Sequence, residues 1–317
     1  MLLKNKLRNI FLATSLMLSI GSSSIYAEEE KGYTDAEIAE MVNNPLGNLW
    51  MLFIQNDTKF YGGDLTDTYN GGDELRTNVT LIQPVMPMQL TNNIKLIFRP
   101  VLPIISSEQP SGINAANGIY DPSDVSSSGL SRIDSHDGIG DVVLWTALAT
   151  NESAKPPNIL GYGMTTMLDT ASRDELGTGK TSVGPMALAV KLTDKWIYGV
   201  VAQHWWSVMG DSDRDNVNLT DLQYILRYRL SKDTNIGMAP NIQYNWSAHK
   251  HEDRLTLPVG GGMDTMIKIG PLPVKVGVEY YHYLKTPDTY GPKWQVRVYF
   301  SPVIPSPAWS KKAMFNF

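Results

Sequence analysis

Long runs of alternating apolar and polar residues constrain this sequence more than any other feature. From residue 46 onward, runs of about 10 to 15 residues follow one another, separated by clusters of Gly, Pro, Asn, Asp and Ser. A period of two places successive side chains on opposite faces of a β-strand. The sequence therefore predicts an all-β chain. About twelve runs are counted, beginning near Leu46, Leu75, Asn93, Gly138, Asn158, Thr181, Trp196, Val217, Thr234, Arg254, Val274 and Lys293.

The alternation fits two folds, and strand length distinguishes them. A soluble sandwich buries the apolar faces in a core, whereas a membrane barrel turns them toward lipid. Ordinary strands average about five or six residues, while a tilted strand needs about 9 to 11 residues to cross the hydrocarbon. The length of the runs favours a transmembrane antiparallel up-and-down β-barrel with polar side chains facing the lumen and a short N-terminal helix.

The connections and the aromatic residues agree with this prediction. Short turns alternate with long connections, as in outer-membrane barrels, whose outer loops are the long ones. The long connections are predicted at residues 57–74, 107–137, 170–180, 210–216, 248–253 and 286–291. Aromatic residues near strand ends predict two interfacial belts. These are Trp205, Trp206, Tyr244, Trp246, Tyr283 and Trp294 on the loop side, and Trp50, Trp196 and Phe300 on the turn side.

Four segments are expected along the chain. Residues 1–27 have the basic start and short apolar run of a signal peptide, which directs export. Residues 28–45 form an N-terminal segment with a short amphipathic helix, opened by a capping box at Thr34. Residues 46–304 form the outer-membrane barrel. Residues 305–317 form a C-terminal tail that either carries the signal for the barrel-assembly machinery or trails in the periplasm.

Composition excludes several other classes. The absence of cysteine rules out a lipoprotein anchor and disulfides. Beyond the signal, no uncharged apolar stretch of about 18 residues exists, so a helical inner-membrane protein is excluded. A formal net charge of -5 without a basic cluster argues against a nucleic-acid partner.

No motif in the sequence predicts a cofactor, a metal or catalysis. The segment LGTGKTS lacks the first glycine of a phosphate loop, because Asp174 stands there. Asp211, Asp213 and Asp215 begin like an EF-hand loop but lack its glycine and its final glutamate. His136 and His204 have no recognisable nucleophile motif near them, so an outer-membrane hydrolase is only an alternative.

Polar residues at alternating strand positions are the better functional candidates. Two interpretations stay open: opposite charges pair and hold a narrow barrel together, or they line a path for a polar solute. Either the loop at 107–137 or the helix at 34–43 is a candidate plug. The predicted lumen residues are Asp141, Asp169, Asp221, Arg227, Arg229, Lys275, Glu279, Gln295 and Arg297.

Several segments also resemble one bacterial family. They include NPLGNLWMLFIQND, RTNVTLIQPVMPM, DGIGDVVL, WIYGVVAQHWWSVMGD and RLTLPVGGGMDTMIKIGPLPV. The family is an outer-membrane one, labelled neuromedin U-like or simply transporter. The chain is more distantly similar to the outer-membrane proteins of phenol-degradation meta pathways.

The resemblance implies an outer-membrane location and, for activity, no more than a transporter. Together with the predicted lumen residues it leads us to expect a passive channel or facilitator for small molecules, and the similarity to phenol-degradation proteins suggests organic or aromatic compounds. Outer-membrane lipid and lipopolysaccharide are the expected surroundings. A structural or surface-interaction barrel without transport stays as the alternative.

Overall fold

The described part of the chain is almost entirely β-structure. The computed structural model describes residues 49–110, 115–116, 119–120, 133–150, 158–270, 272–304, 306–307, 310 and 314. The predicted signal peptide, the predicted N-terminal helix and most of the predicted plug loop and C-terminal tail lie outside these residues. Within them, no helix has the length and apolar character needed to cross a membrane.

Sixteen strands are described, several of them 13 residues or longer. They are β1 (Trp50–Gly62), β2 (Leu75–Gln89), β3 (Ile94–Pro110), β4 (Ala115–Ala116), β5 (Ile119–Tyr120), β6 (Ile133–Ile139), β7 (Val142–Thr150), β8 (Asn158–Leu168), β9 (Lys180–Leu192), β10 (Trp196–Gly210), β11 (Asn218–Arg229), β12 (Thr234–Met238), β13 (Asn241–Asn245), β14 (Leu255–Ile269), β15 (Leu272–Lys285) and β16 (Gly291–Ile304). One α-helix, α1 (Asp64–Tyr69), and two 3-10 turns, Asp174–Leu176 and His251–Asp253, lie in connections.

The strands form a closed antiparallel barrel of twelve strands, as the sequence predicts. The wall follows the order of the chain, with β6 and β7 together taking one wall position and β12 and β13 another, while β4 and β5 form a separate two-stranded sheet. The first strand, β1, pairs with the last, β16, from Trp50 opposite Ile304 to Gly62 opposite Gly291. Closure matters because lipid offers no partner for the N–H and C=O groups of an open sheet edge.

The two faces of the wall differ as expected. On β15, Val278 is 51% exposed on the outer face, whereas its neighbour Glu279 is 1% exposed and points inward. Many large apolar side chains are exposed in the same way, among them Leu160, Tyr162 and Met164 on β8, Leu226 on β11 and Leu284 on β15 itself. Such a continuous apolar exterior around a polar interior is the construction of a membrane barrel.

The aromatic belts are present in part. Trp206 and Trp246 are exposed near the loop-side ends of their strands, and Trp196 packs edge-on against Tyr228 on the turn side. Trp205 and Tyr283, expected in the loop-side belt, instead line the lumen. The reason is the alternation itself, because Trp205 and Trp206 are adjacent in one strand and must face opposite sides.

Three strands, β1, β3 and β6, extend beyond their predicted bounds. β1 continues through Asp57 to Gly62, and β3 and β6 pair with each other up to Pro110 and Ile133, so parts of the predicted loops at 57–74 and 107–137 are strand. These stretches are rich in polar residues and therefore resemble loops in sequence. In the structure they are strands whose polar face points into the lumen.

The predicted strand beginning near Gly138 is two strands, β6 and β7. Both pair with β3, but of the two only β7 pairs with β8. The connection after β8 covers the break, because Ser172 N donates to Ile139 O at 2.8 Å. The Asp141 carboxylate accepts further hydrogen bonds from the same connection, including one from Thr178 N at 2.7 Å.

The outward apolar face predicts a depth-dependent penalty for charge. Val278→Arg places a cation on the outer face near the middle of β15, and we expect it to lower the free energy of unfolding by about 2–4 kcal/mol. Leu284→Arg, on the same face but near the end of the strand, should cost only about 0–1 kcal/mol. Denaturant titration of refolded protein in lipid vesicles measures both. Equal penalties at the two positions would mean that this face does not contact a hydrocarbon layer.

Candidate functional site: the barrel lumen

Two cavities occupy the lumen and share part of their walls. The loop-side cavity, of about 190 Å³, extends toward Tyr61 and Tyr290 at the loop ends of the strands. The turn-side cavity, of about 150 Å³, extends toward Val190 and Ile197. Both are lined by the same five residues, which we call the junction: Gln55, Arg99, Trp145, Gln223 and Arg297. The two spaces of the lumen are therefore adjacent, and large, mostly polar side chains form the wall that they share.

A buried carboxylate anchors one wall of the loop-side cavity. Asp221 on β11 accepts hydrogen bonds from the amide groups of Gln203 at 3.1 Å, Asn241 at 2.8 Å and Gln243 at 3.0 Å. Gln203 and Gln243 stand directly opposite Asp221 on the neighbouring strands β10 and β13, so the strand register creates this cluster. Three amide donors hold the carboxylate in place without neutralising its charge.

A second cluster of opposite charges lies beside the turn-side cavity. Arg227 forms ion pairs with Asp264 and Glu279, and Lys275 Nζ lies 3.0 Å from Asp264 Oδ1. Asn235 also donates to Asp264, at 2.7 Å, and the Tyr299 hydroxyl donates to the same carboxylate at 3.1 Å. Five strands, β11, β12, β14, β15 and β16, are linked across the interior by these contacts.

Arg297 links the third cluster to the closure of the barrel. Its Nε and Nη2 donate to the two oxygens of Asp57 at 2.7 and 3.1 Å, which is a bidentate pair. Asp57 and Arg297 are directly opposite each other on β1 and β16, the strands that close the barrel. Glu279 lies 3.7 Å from Arg297 Nη1 and so connects this pair to the Arg227 cluster.

The break between β12 and β13 gives the lumen a backbone acceptor and donor. Pro240 has no N–H group and interrupts the ladder there. Ala239 O accepts hydrogen bonds from Arg297 Nη1 and Gln223 Nε2, each at 3.1 Å, and Ala239 N donates to the Tyr281 hydroxyl at 3.1 Å. Side chains of the lumen thus satisfy the backbone groups that the strand break releases.

One wall of the turn-side cavity is apolar. Strands β3, β7, β9 and β10 contribute Ile97, Ala147, Leu188 and Val201 to a buried cluster, against which Trp145 packs. We call this surface the apolar wall. A uniformly polar lumen is therefore wrong for this side of the barrel. The sequence of β9 indicates the apolar wall, because its apolar run GPMALAVKL is nearly continuous and both faces of such a strand are apolar.

Six of the nine predicted lumen residues line the cavities. Asp221 and Gln295 line the loop-side cavity, and Arg297 lines both. The other three that line the turn-side cavity are Arg227, Lys275 and Glu279.

The remaining three predicted residues lie near strand ends and line neither cavity. Asp169 is exposed just after β8, and Arg229 lies at the turn-side end of β11. Asp141 is buried, but its carboxylate binds the connection after β8 through Thr170, Ala171 and Thr178. Burial raises the pKa of Asp141, although these hydrogen bonds oppose the rise.

Several lumen residues were missed from sequence. Asp57 lies in a stretch that resembles a loop, although Gln55, Asp57 and Lys59 keep the period of two. Arg99 is the single charged residue inside the apolar segment IFRPVLPII, and that isolation is the signal that marks it. Asp264 follows three consecutive glycines, whose lack of side chains hides the alternation.

The metal candidates do not come together as a set of ligands in the described residues. No group of three or more His, Cys, Asp and Glu side chains is arranged to hold a metal ion there. His249 Nε2 lies 3.7 Å from Asp215 Oδ2, with the histidine mostly exposed. His204 Nδ1 lies 2.7 Å from the Thr220 hydroxyl on the adjacent strand.

Solved structures with this architecture are outer-membrane barrels. The chain is similar to a COG4313 outer membrane channel from Pseudomonas putida F1, with 19% identity, 81% of this chain and 94% of that chain covered, and a TM-score of 0.56. It is less similar to the β-domain of the Bordetella autotransporter BrkA, with 9% identity, 81% and 100% coverage, and a TM-score of 0.42. No protein-family profile and no curated protein matches the sequence. The class that fold and lumen define is the outer-membrane β-barrel, and the resemblance to the neuromedin U-like family stays a prediction.

The buried pair at the closure predicts a large cost for removing one partner. Asp57→Asn leaves the Arg297 guanidinium in the lumen without its bidentate carboxylate, and we expect a loss of roughly 3 kcal/mol in the free energy of unfolding. The double variant Asp57→Asn with Arg297→Met should recover part of this loss, because no unpaired charge remains.

Asp73→Asn, which removes the same charge in an exposed loop, serves as the control. Denaturant unfolding of the wild type, the single variants Asp57→Asn and Arg297→Met, the double variant and the control gives the coupling free energy. Additive losses in the double variant would contradict a direct interaction between Asp57 and Arg297.

Proposed function

We propose that this chain is a passive outer-membrane channel or facilitator for small molecules. The observation that carries the proposal is the pair of lumen cavities that share the junction as a wall, because they provide space for a small solute on both sides of it. A structural barrel has no need of such space, and close packing of its interior is the more stable arrangement. The similar Pseudomonas putida protein is an outer membrane channel, which agrees with this proposal.

The dimensions of the lumen restrict the solute. An engineered protein cavity of about 150 Å³ holds one benzene molecule, and each lumen cavity is of that order. The twelve-stranded barrel lies between filled eight-stranded barrels and the open 16-stranded porins. We therefore propose solutes of about one aromatic ring, which move by diffusion and without catalysis.

A purely structural barrel is the second candidate. The charge clusters favour it, because Asp57, Asp264 and Glu279 all form ion pairs that tie strands together. The two functions are compatible, since paired charges line the cavities without filling them. Export by residues 1–27, contact with lipopolysaccharide, the barrel-assembly machinery as partner and membership of the neuromedin U-like family are parts of the same proposal.

The junction predicts which side chain limits passage. Trp145 lines both cavities, so Trp145→Ala removes bulk from the junction that they share. We expect single-channel conductance in planar bilayers to rise roughly twofold or more, because the freed volume is comparable with the cavities themselves.

Trp206→Ala, on the outer face of β10, is the matched control and should leave the conductance unchanged. Folding of each variant is checked by heat-dependent gel mobility. A Trp145→Ala barrel that folds and conducts like the wild type would contradict a path through the junction.

A further inference from the structure

Arg99 differs from the other cations of the lumen in its partners. Its Nη2 donates to the neutral amide oxygen of Gln83. Its guanidinium lies 4.2 Å from the ring centre of Trp145, which stands directly opposite Arg99 on the adjacent strand β7. Its Nε is buried and has no hydrogen-bond partner. Among the residues that the structure describes, no carboxylate forms an ion pair with Arg99, whereas Arg227, Lys275 and Arg297 all have one.

The net charge of the residues around the cavities is positive, like that of the Arg99 guanidinium. The two cavities together are lined by more cations than anions. The cations are Lys59, Arg99, Arg227, Lys275 and Arg297, and the anions are Asp57, Asp221 and Glu279. Asp264, which lies beside the turn-side cavity, is a fourth anion. Five cations and four anions leave one net positive charge. A narrow space with weakly polar walls concentrates the field of such a charge and attracts anions.

The surroundings of Arg99 are amphipathic. The apolar wall begins at Ile97, two residues earlier on the same face of β3, and continues through Ala147 and Leu188. The polar side of the junction contributes Gln55 and Gln223. A guanidinium presents donors in a planar fork that matches a carboxylate, and the apolar wall matches a ring or a short alkyl body.

We propose that Arg99 and the apolar wall form a binding site for small organic monocarboxylates. The carboxylate accepts hydrogen bonds from the Arg99 guanidinium at the junction, and the apolar body lies in the turn-side cavity. This inference deepens the proposed channel function and rests on it, because it names the class of solute that pauses in the lumen. The ring-sized volume of the turn-side cavity limits the body to about one aromatic ring.

Binding of benzoate and of benzyl alcohol to the detergent-purified full chain tests the site. The two probes share the ring and differ in the charged group. We expect the wild type to bind benzoate at least about tenfold more tightly than benzyl alcohol, and Arg99→Gln to remove that preference by weakening benzoate alone. Isothermal titration calorimetry measures both affinities.

Two further variants separate the site from charge in general and from folding. Arg173→Gln removes the same charge from an exposed loop and should leave both affinities unchanged. Arg99→Lys keeps the charge but loses the planar fork, so it should give an intermediate benzoate affinity. If Arg99→Gln does not fold, the wild-type preference and the Arg99→Lys affinity decide the question.

The inference is overturned if the wild type binds the two probes equally, or if the folded Arg99 variants keep the wild-type affinity for benzoate. Solute flux through reconstituted barrels is measured separately. Flux without an Arg99-dependent preference for benzoate would support the channel and reject this site. Arg99-dependent binding without flux would support the site and reject the channel.

Discussion

The pairing of β1 with β16 is the interaction on which the rest of the structure depends. In a hydrocarbon layer, an unpaired strand edge leaves a row of N–H and C=O groups without partners, at several kcal/mol each. The seam joins the two ends of the barrel sequence, and Asp57 and Arg297 form their bidentate pair directly across it. Arg297 also donates to the Ala239 backbone, so the same side chain supports the break between β12 and β13.

The lumen combines two kinds of wall that serve different purposes. On the side of β11 to β16 and β1, charges are paired across strands, which limits the cost of burying them. On the side of β7 to β10, the apolar wall offers nothing that binds a polar solute tightly. A conduit needs binding that is weak enough for release, and an amphipathic lumen with most of its charges neutralised meets that requirement.

Much of the fold was predictable because a β-barrel leaves a period of two in its sequence. The runs beginning at Leu75, Asn158 and Trp196 coincide with strand starts, and the up-and-down order follows from the alternating turn lengths. The lumen was less predictable, since an inward polar face resembles a loop at Asp57 and an inward apolar wall in β9 resembles a core strand. Arg99 and Trp145 become a pair only through the register of β3 with β7, which no local pattern fixes.

Cross-linking across the seam tests the closed barrel most directly. The chain has no cysteine, so Thr58→Cys with Val296→Cys introduces a single pair, at residues that face each other across β1 and β16. The account predicts a disulfide within one molecule under mild oxidation, and much less of it for Thr58→Cys with Val298→Cys, where the register is displaced by two residues. Cross-links formed only between molecules, or favoured in the displaced register, would contradict a barrel closed by its first and last strands.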